Sequence, residues 1–449
     1  MELRNKDIEH QQRENYSKKF SLIDGRTITV LERIGEGGQG RIYRVRIDET
    51  GEEKALKWYF PKCINEPRKF YTHLVNNIKT GSPSEMFVWP EQLTDWYQGS
   101  FGYTMSLIPK QYINFSMYLT GGIGFYDVDA MISAALQIVS AFCELHNKGY
   151  NYQDLNDGNF AINPQTGDTL ICDSDNVMGH GQFSGIRGKL RYMAPEIVRG
   201  ETNPDKSTDR FSLAVILFML LIGDHPLEGK KTHFELMTNS RNQKSFGDEP
   251  VFIYDEINDS NRPIPELHKN ACSKWKYFPS YIKNAFQQSF SRESLLQGGG
   301  RLTEQTWRHL LIRLKSSVVN CPYCQEQIFL ETERNTICPA CHNEIRSAGY
   351  LHFPTRGNVV IDVPIYSGVR LYEYHTGSDF DSYENEIATI LSKPDKFGLK
   401  NESNCTWNVS NSIGKAAQKP PGVVAVLRNG FKIDFGQNGS VAKVILNKD

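Results

Sequence analysis

The chain has 449 residues, 39% of them apolar and 23% charged, and its 51 basic against 52 acidic side chains leave a formal net charge of -1. That length exceeds what one hydrophobic core usually supports, and the composition excludes a wholly disordered chain. The even charge balance excludes a global field for nucleic acid or an anionic membrane, and neither partner is expected.

Residues 1–20 are polar and charged, without the apolar run of a secretory leader. From Ser21 to Tyr59 the pattern is of short strands, because Tyr43, Val45 and Ile47 alternate with Arg44 and Arg46. Between them, Gly35-Glu36-Gly37-Gly38-Gln39-Gly40 fits G-x-G-x-x-G. A dinucleotide site would open a helix at the third glycine, whereas here a strand follows. The loop therefore belongs in a hairpin, where the bare backbone of Gly35, Gly37, Gly38 and Gly40 can approach phosphate groups. Ala55-Leu56-Lys57 ends the next apolar strand and points the Lys57 ammonium toward the same place.

From Val128 to Asn147 the spacing becomes helical, followed by loops, an apolar helix from about Asp209 to Ile222 and further helices to about Lys315. The longest apolar run, Leu213 to Ile222, is well short of a membrane span, and a cytoplasmic protein is expected. Of nine cysteines, four form the pairs Cys321-Pro322-Tyr323-Cys324 and Cys338-Pro339-Ala340-Cys341. Four thiolates so spaced can surround one zinc ion tetrahedrally, which leaves His342 a bystander. After Tyr350 strand patterns return, among them Val423 to Leu427 and Phe431 to Phe435, with Asn429-Gly430 between them predicting a type I′ hairpin.

The most specific stretch runs from Leu145-His146 through Tyr152-Gln153-Asp154-Leu155-Asn156-Asp157-Gly158-Asn159, and Leu170-Ile171-Cys172-Asp173 follows as an apolar strand ending in a carboxylate. With Ala194-Pro195-Glu196, Asp209 and Arg301 they form a series in one fixed order, and across residues 21–315 the chain resembles protein kinases. The resemblance implies an α+β, bilobal kinase-like fold, with an N-lobe over 21–107 and a C-lobe over 108–316. A zinc ribbon over 317–349 and a β-rich domain over 350–449 would follow. It also implies ATP and Mg2+ as cofactors beside the Zn2+ of the cysteines, and a protein substrate phosphorylated on a hydroxyl, as in serine/threonine kinases.

By the same resemblance Asp154 is the catalytic carboxylate, Asn159 and Asp173 hold magnesium, and Lys57 contacts phosphate. The glycines, Ala55, Met105 and Leu107 would line the nucleotide site, and Arg301 would pair with Glu196. Asp154 to Phe160 and His225-Pro226-Leu227-Glu228-Gly229, together with the zinc motif, further resemble the bacterial kinases of tellurite-resistance-associated triads. That implies a von Willebrand A-domain protein and a PP2C-type phosphatase as partners.

Several positions depart from the pattern. The family's His-Arg is Tyr152-Gln153, which predicts activation without loop phosphorylation, and Asp-Phe-Gly is Asp173-Ser174-Asp175, which makes Asp175 a competing metal ligand. Asn156 and Lys189 replace a lysine and a threonine near the substrate, and Lys189 is a candidate to restore missing charge. The helix glutamate expected to pair with Lys57 has no clear match, since Glu66 precedes Pro67 and Glu85 follows Gly81-Ser82-Pro83. A pseudokinase scaffold is the alternative, against which stand the four groups Lys57, Asp154, Asn159 and Asp173. The last hundred residues resemble a sandwich of the fork-head-associated type, without the arginine and serine arrangement that reads phosphothreonine, and partner docking is the expected role.

Overall fold

The computed structural model describes residues 18–447 apart from 65, 234–237, 333, 377–381, 395 and 437–439. Its first body is a six-stranded antiparallel sheet of β1 (Lys19–Ser21), β2 (Thr27–Glu36), β3 (Gly40–Ile47), β4 (Glu53–Tyr59), β5 (Gln92–Leu93) and β6 (Gly102–Met105), in the order β1-β2-β3-β4-β6-β5. The two-residue period of β4 sends Leu56 into a cluster with Val30, Val45 and Ile47. Ala55 and Tyr59 go to the opposite face with Tyr103, Met105 and Leu74. Leu74 belongs to α1 (Pro67–Thr80), which begins on a proline whose missing N–H is not needed there and stops at Gly81, φ 81°.

The second body is helical. Here α2 (Val128–Asn147) starts where Asp127 accepts the Ala130 N–H at 2.8 Å, and α3 (Lys206–Ile222) starts with a capping box between Asp205 and Thr208. Nearly every residue of α3 is buried, as expected for a helix that is apolar all round and runs through the middle of its lobe. By length and hydropathy α2 could cross a membrane, but 61% of its apolar window is buried against the protein, α4 (Glu304–Lys315) among its neighbours.

Beyond α4, two small hairpins pair Val318–Asn320 with Gln327–Phe329 and Thr336–Ile337 with Glu344–Ile345. The remaining strands form an antiparallel six-stranded sheet and an antiparallel four-stranded sheet. Asn429-Gly430 does not join a hairpin. Val424–Val426 pairs with Lys396–Asn401 in the four-stranded sheet, and Lys432–Asp434 pairs with Trp407–Ser410 and Val441–Leu446 in the other. Only Gly430 takes a positive φ, 79°, so the pair makes a corner between sheets, held by the Leu446 N–H donating to Asn429 Oδ1 at 3.0 Å. A type I′ turn needs positive φ at both residues.

The hydrophobic core is continuous from the helical lobe through Val319, Ile328 and Leu330 into Leu351, Phe353 and Leu371. Polar contacts cross the same boundary. Gln327 Oε1 accepts the Val128 N–H at the start of α2 at 2.9 Å, and Arg370 pairs with Asp129 at 2.9 Å.

Candidate active site

The β2–β3 hairpin closes through the Gly37 N–H donating to the Gly40 carbonyl at 2.9 Å. A Cβ at Gly40 would lie 2.2 Å from the Trp58 carbonyl oxygen, so the close approach of β3 to β4 requires glycine there. Gly37 and Gly38 have open space around them, and Gly35 faces Ile42. Below the hairpin Ala55 pairs with Met105 across β4 and β6, and the half-buried Ile42, Leu107, Leu170 and Cys172 border the same cluster. Leu170 comes from the second body, so this apolar wall spans both.

Lys57 is buried, and its ammonium donates to Asp175 Oδ2 at 2.8 Å and to Asp173 Oδ1 at 3.2 Å. Burial alone would depress its pKa, but the charges of Asp175 and then Asp173 outweigh it and hold the ammonium above its ordinary value. The Tyr59 hydroxyl donates to the same Asp175 oxygen. Asp173 has a φ of 53°, left-handed for a non-glycine residue, and its side chain is 46% exposed against 0% for Asp175. The two carboxylates are thus chemically distinct, one open to the cleft and one sealed beneath it.

The loop carrying Asp154 is pinned from below. Asp209, at the start of α3, accepts the Tyr152 N–H at 2.6 Å and the Gln153 N–H at 3.2 Å, while its Oδ2 meets His146 Nε2 at 3.1 Å. The Asn159 amide donates to the Tyr152 hydroxyl at 3.0 Å and to the Asp154 carbonyl at 3.2 Å, which fixes its orientation. The Tyr152 hydroxyl in turn donates to the Cys172 carbonyl, tying this loop to the strand that delivers Asp173. Burial first, and the Asp173 charge second, push the Asp154 carboxyl up to about 6, against the opposing pull of Lys189 and Asn156. A carboxylate so raised is a better proton acceptor than an ordinary surface aspartate.

Gln153, also left-handed at φ 68°, holds the following segment without charge. Its Oε1 accepts from the Ser184 N–H at 3.0 Å and hydroxyl at 2.9 Å, and its Nε2 donates to the Gln182 carbonyl at 2.7 Å. Lys189 donates to Asn156 Oδ1 at 2.7 Å, and Asn156 Nδ2 reaches Asp154 Oδ1 at 3.2 Å. Further on, Arg301 forms a bidentate, largely buried pair with Glu196 at 2.7 and 2.8 Å.

The four paired cysteines converge elsewhere, with all sulfur atoms within 4.8 Å of one another and two separations of 3.6 Å. Tetrahedral zinc with Zn–S bonds of about 2.3 Å requires sulfurs roughly 3.8 Å apart, so the donor set fits that ion. Both knuckles are built alike. Gln325 and His342 follow the second cysteine of each pair with φ 66° and 59°, and their N–H groups donate back to the Cys321 and Cys338 carbonyls at 2.9 and 3.0 Å. His342 supplies no ligand atom to the cluster.

The structure therefore brings Lys57, Asp154, Asn159 and Asp173 to one cleft beneath the glycine hairpin, beside Ala55, Met105 and Leu107. Cys321, Cys324, Cys338 and Cys341 gather at a second place. A separate groove of about 870 Å³, lined by residues such as Phe115, Val128, Met219, Phe278 and Phe329, contains none of the cleft residues. Sequence reasoning missed Tyr59, although its spacing of two from Lys57 puts both on one face of β4. It also weighed Asp175 only as a metal ligand, with no signal that the side chain turns inward.

Comparison with known proteins adds a second line. A sequence profile described as the protein kinase domain matches residues 28–276, more than half of the chain. Serine/threonine-protein kinase AtPK2/AtPK19 of Arabidopsis thaliana is 28% identical over 208 residues, 45% of this chain and 42% of that protein. A probable serine/threonine-protein kinase PLK of Dictyostelium discoideum is 30% identical over 183 residues, 38% and 19% of the two chains. Calcium-dependent protein kinase 5 of Plasmodium berghei is 24% identical over 313 residues, 64% and 51%. The chain spans about two fifths of the length of the Arabidopsis kinases it matches.

Proposed function

This chain belongs to the protein kinase family, and on that premise we propose that it transfers the γ-phosphoryl group of ATP to a serine or threonine hydroxyl of a protein. One observation carries the reading: Lys57, Asp154, Asn159 and Asp173, drawn from three separate segments, share one cleft through direct hydrogen bonds and the Tyr152 link.

In this reading the β2–β3 backbone covers the phosphates, and Lys57 contacts the α- and β-phosphates. Ala55, Met105 and Leu107 face the base. Asp154 orients the substrate hydroxyl and takes its proton as the new O–P bond forms and the bond from the γ-phosphorus to the β-phosphate oxygen breaks, leaving ADP. Asn159, with its amide hydrogens already committed, and the half-exposed Asp173 would hold magnesium. When bound, that ion neutralises charge on the β- and γ-phosphate oxygens.

Gln153 keeps the segment from Gln182 to Ser184 in place by neutral hydrogen bonds, which supports activity without loop phosphorylation. Mass spectrometry checks this: a phosphate between Asp173 and Glu196 whose removal abolishes activity sinks it. The four cysteines would hold a structural zinc ion, so purified protein should contain one equivalent of zinc. The triad-like motifs support a role in a bacterial stress-response module, with a von Willebrand A-domain protein and a PP2C-type phosphatase as candidate partners.

The test of the function is incubation with labelled ATP, magnesium and those candidates, beside Asp154→Asn and Lys57→Ala. Label transfer by wild type alone is expected. Equal transfer by all three proteins sinks the kinase mechanism, and no transfer by any of them leaves the scaffold reading.

A further inference from the structure

In protein kinases the phosphate-contacting lysine is held by a glutamate of the helix beside the sheet, and movement of that helix controls activity. The corresponding helix here, α1, reads Pro-Arg-Lys-Phe-Tyr-Thr-His-Leu-Val-Asn-Asn-Ile-Lys-Thr and contains no carboxylate. Glu66, just before it, is exposed and pairs with Lys69. What α1 offers the cleft is uncharged: the Asn77 amide donates to the Val177 carbonyl at 3.2 Å and lies 2.9 Å from His73 Nε2.

Among the described residues, the carboxylates that reach Lys57 both come from the Asp173-Ser174-Asp175 turn. A single turn over Ser174–Asn176 drops Asp175 inward while Asp173 stays open to the cleft. We propose that Asp175 is the positioning residue for Lys57, taking the place of the helix glutamate, so that the lysine is aligned by the metal-binding turn itself and not by α1. This inference rests on the kinase reading of the cleft and deepens it.

Two features favour it over a purely structural carboxylate. A buried charge costs several kcal/mol unless paired, and the donors that Asp175 Oδ2 has are the Lys57 ammonium and the Tyr59 hydroxyl. Its other oxygen, Oδ1, is buried without a hydrogen-bond partner among the described residues, whereas a carboxylate kept only for the core would be fully satisfied. The two aspartates thus divide the work. Asp173 is left for the metal, and Asp175 fixes the cation that must meet the same nucleotide. Regulation through α1 would then be weak, because moving the helix breaks no ion pair with Lys57.

A double-mutant cycle on the full chain tests this, reading both kcat/KM for ATP and the affinity for the magnesium complex of a non-hydrolysable ATP analogue. Asp175→Asn should lower each by about tenfold to a hundredfold, the range for a hydrogen bond to a charged group. Lys57→Ala should lower them at least as far, and the double variant should match Lys57→Ala within about twofold, since one residue acts through the other. Tyr59→Phe, which keeps the carboxylate, should shift both in the same direction by a smaller factor. Wild-type values in Asp175→Asn, or losses that multiply in the double variant while thermal melting shows all four proteins folded, overturn the proposal. The readouts separate the two levels: absence of phosphate transfer by wild type fells the kinase reading, while the affinity cycle still decides the role of Asp175.

Discussion

Two places in this molecule are made from the same ingredients, a cation between two carboxylates, and they do opposite things with them. Beneath the Asp154 loop, His146 lies 3.1 Å from Asp209 and 2.9 Å from Glu304, all three buried, with Arg210 donating to the same Glu304 oxygen at 2.7 Å and to the other at 3.1 Å. In the cleft, Lys57 lies between Asp175 and Asp173, but Asp173 is left half open. The closed network satisfies every charge and anchors backbone, since Asp209 also accepts the N–H groups of Tyr152 and Gln153. The open one keeps charge available for a ligand. Burial of the second carboxylate is what separates an anchor from a site.

Breaking each network should therefore cost a different quantity. In the cleft, Asp154→Asn removes the proposed proton acceptor and should lower kcat about a thousandfold, with a melting temperature like wild type. In the anchor, Asp209→Asn should cost about 3 kcal/mol of stability or more, read by denaturant unfolding, because His146 and two backbone donors lose a charged partner. An Asp209→Asn protein that melts like wild type would erase the distinction.

Acid and base should sharpen it. Burial opposes ionisation of Glu304, but hydrogen bonds from His146 and Arg210 bring its carboxyl down to about 2, from an ordinary 4.5. Its contribution to stability is complete above pH 4.5 and is lost as pH falls toward about 2. Burial likewise opposes the His146 charge, and the bonds to Asp209 and Glu304 outweigh it, so its pKa lies above the ordinary 6.5. That contribution is complete below pH 6.5 and fades as pH rises through the raised value. Thermal melts across pH should show the anchor strongest between about 4.5 and 6.5, with a loss of up to about 3 kcal/mol on the acid side.

Smaller effects are expected where neutral contacts hold the cleft. Gln153→Ala removes the bonds to Gln182 and Ser184 from a buried position and should reduce kcat about tenfold while costing about 1–3 kcal/mol of stability. Lys189→Ala should change turnover only about two- to threefold, because that lysine is mostly exposed and a solvated ammonium contributes little. Unchanged turnover would remove Lys189 from the list of groups that compensate for missing charge.

How much of this could be read in advance depended on whether a feature is local. The glycine hairpin, the Asp154 loop and the cysteine knuckles each lie within a short stretch, where residue type and spacing state the chemistry. The partner of Lys57 could not be read in that way, because Asp173 and Asp175 are 116 and 118 residues away in sequence. Asn429-Gly430 misled for the same reason: a turn signal describes two residues, and strand pairing is decided by which sheet each flanking strand joins.

The sequence by itself determined the kind of protein this is. An ordered set of hairpin glycines, a lysine, two loop carboxylates and an asparagine is the pattern of the protein kinase family, and four paired cysteines at this spacing can hold a metal. Only the tertiary structure decided how those groups are arranged. It sealed Asp175 under Lys57, left Asp173 open, gave Gln153 a neutral hold on Ser184, and ran one hydrophobic core from the helical lobe into the C-terminal sheets. Burial sets the cost of an unpaired charge and the reach of each side chain, and burial is a property of the folded chain that no local pattern of residues contains.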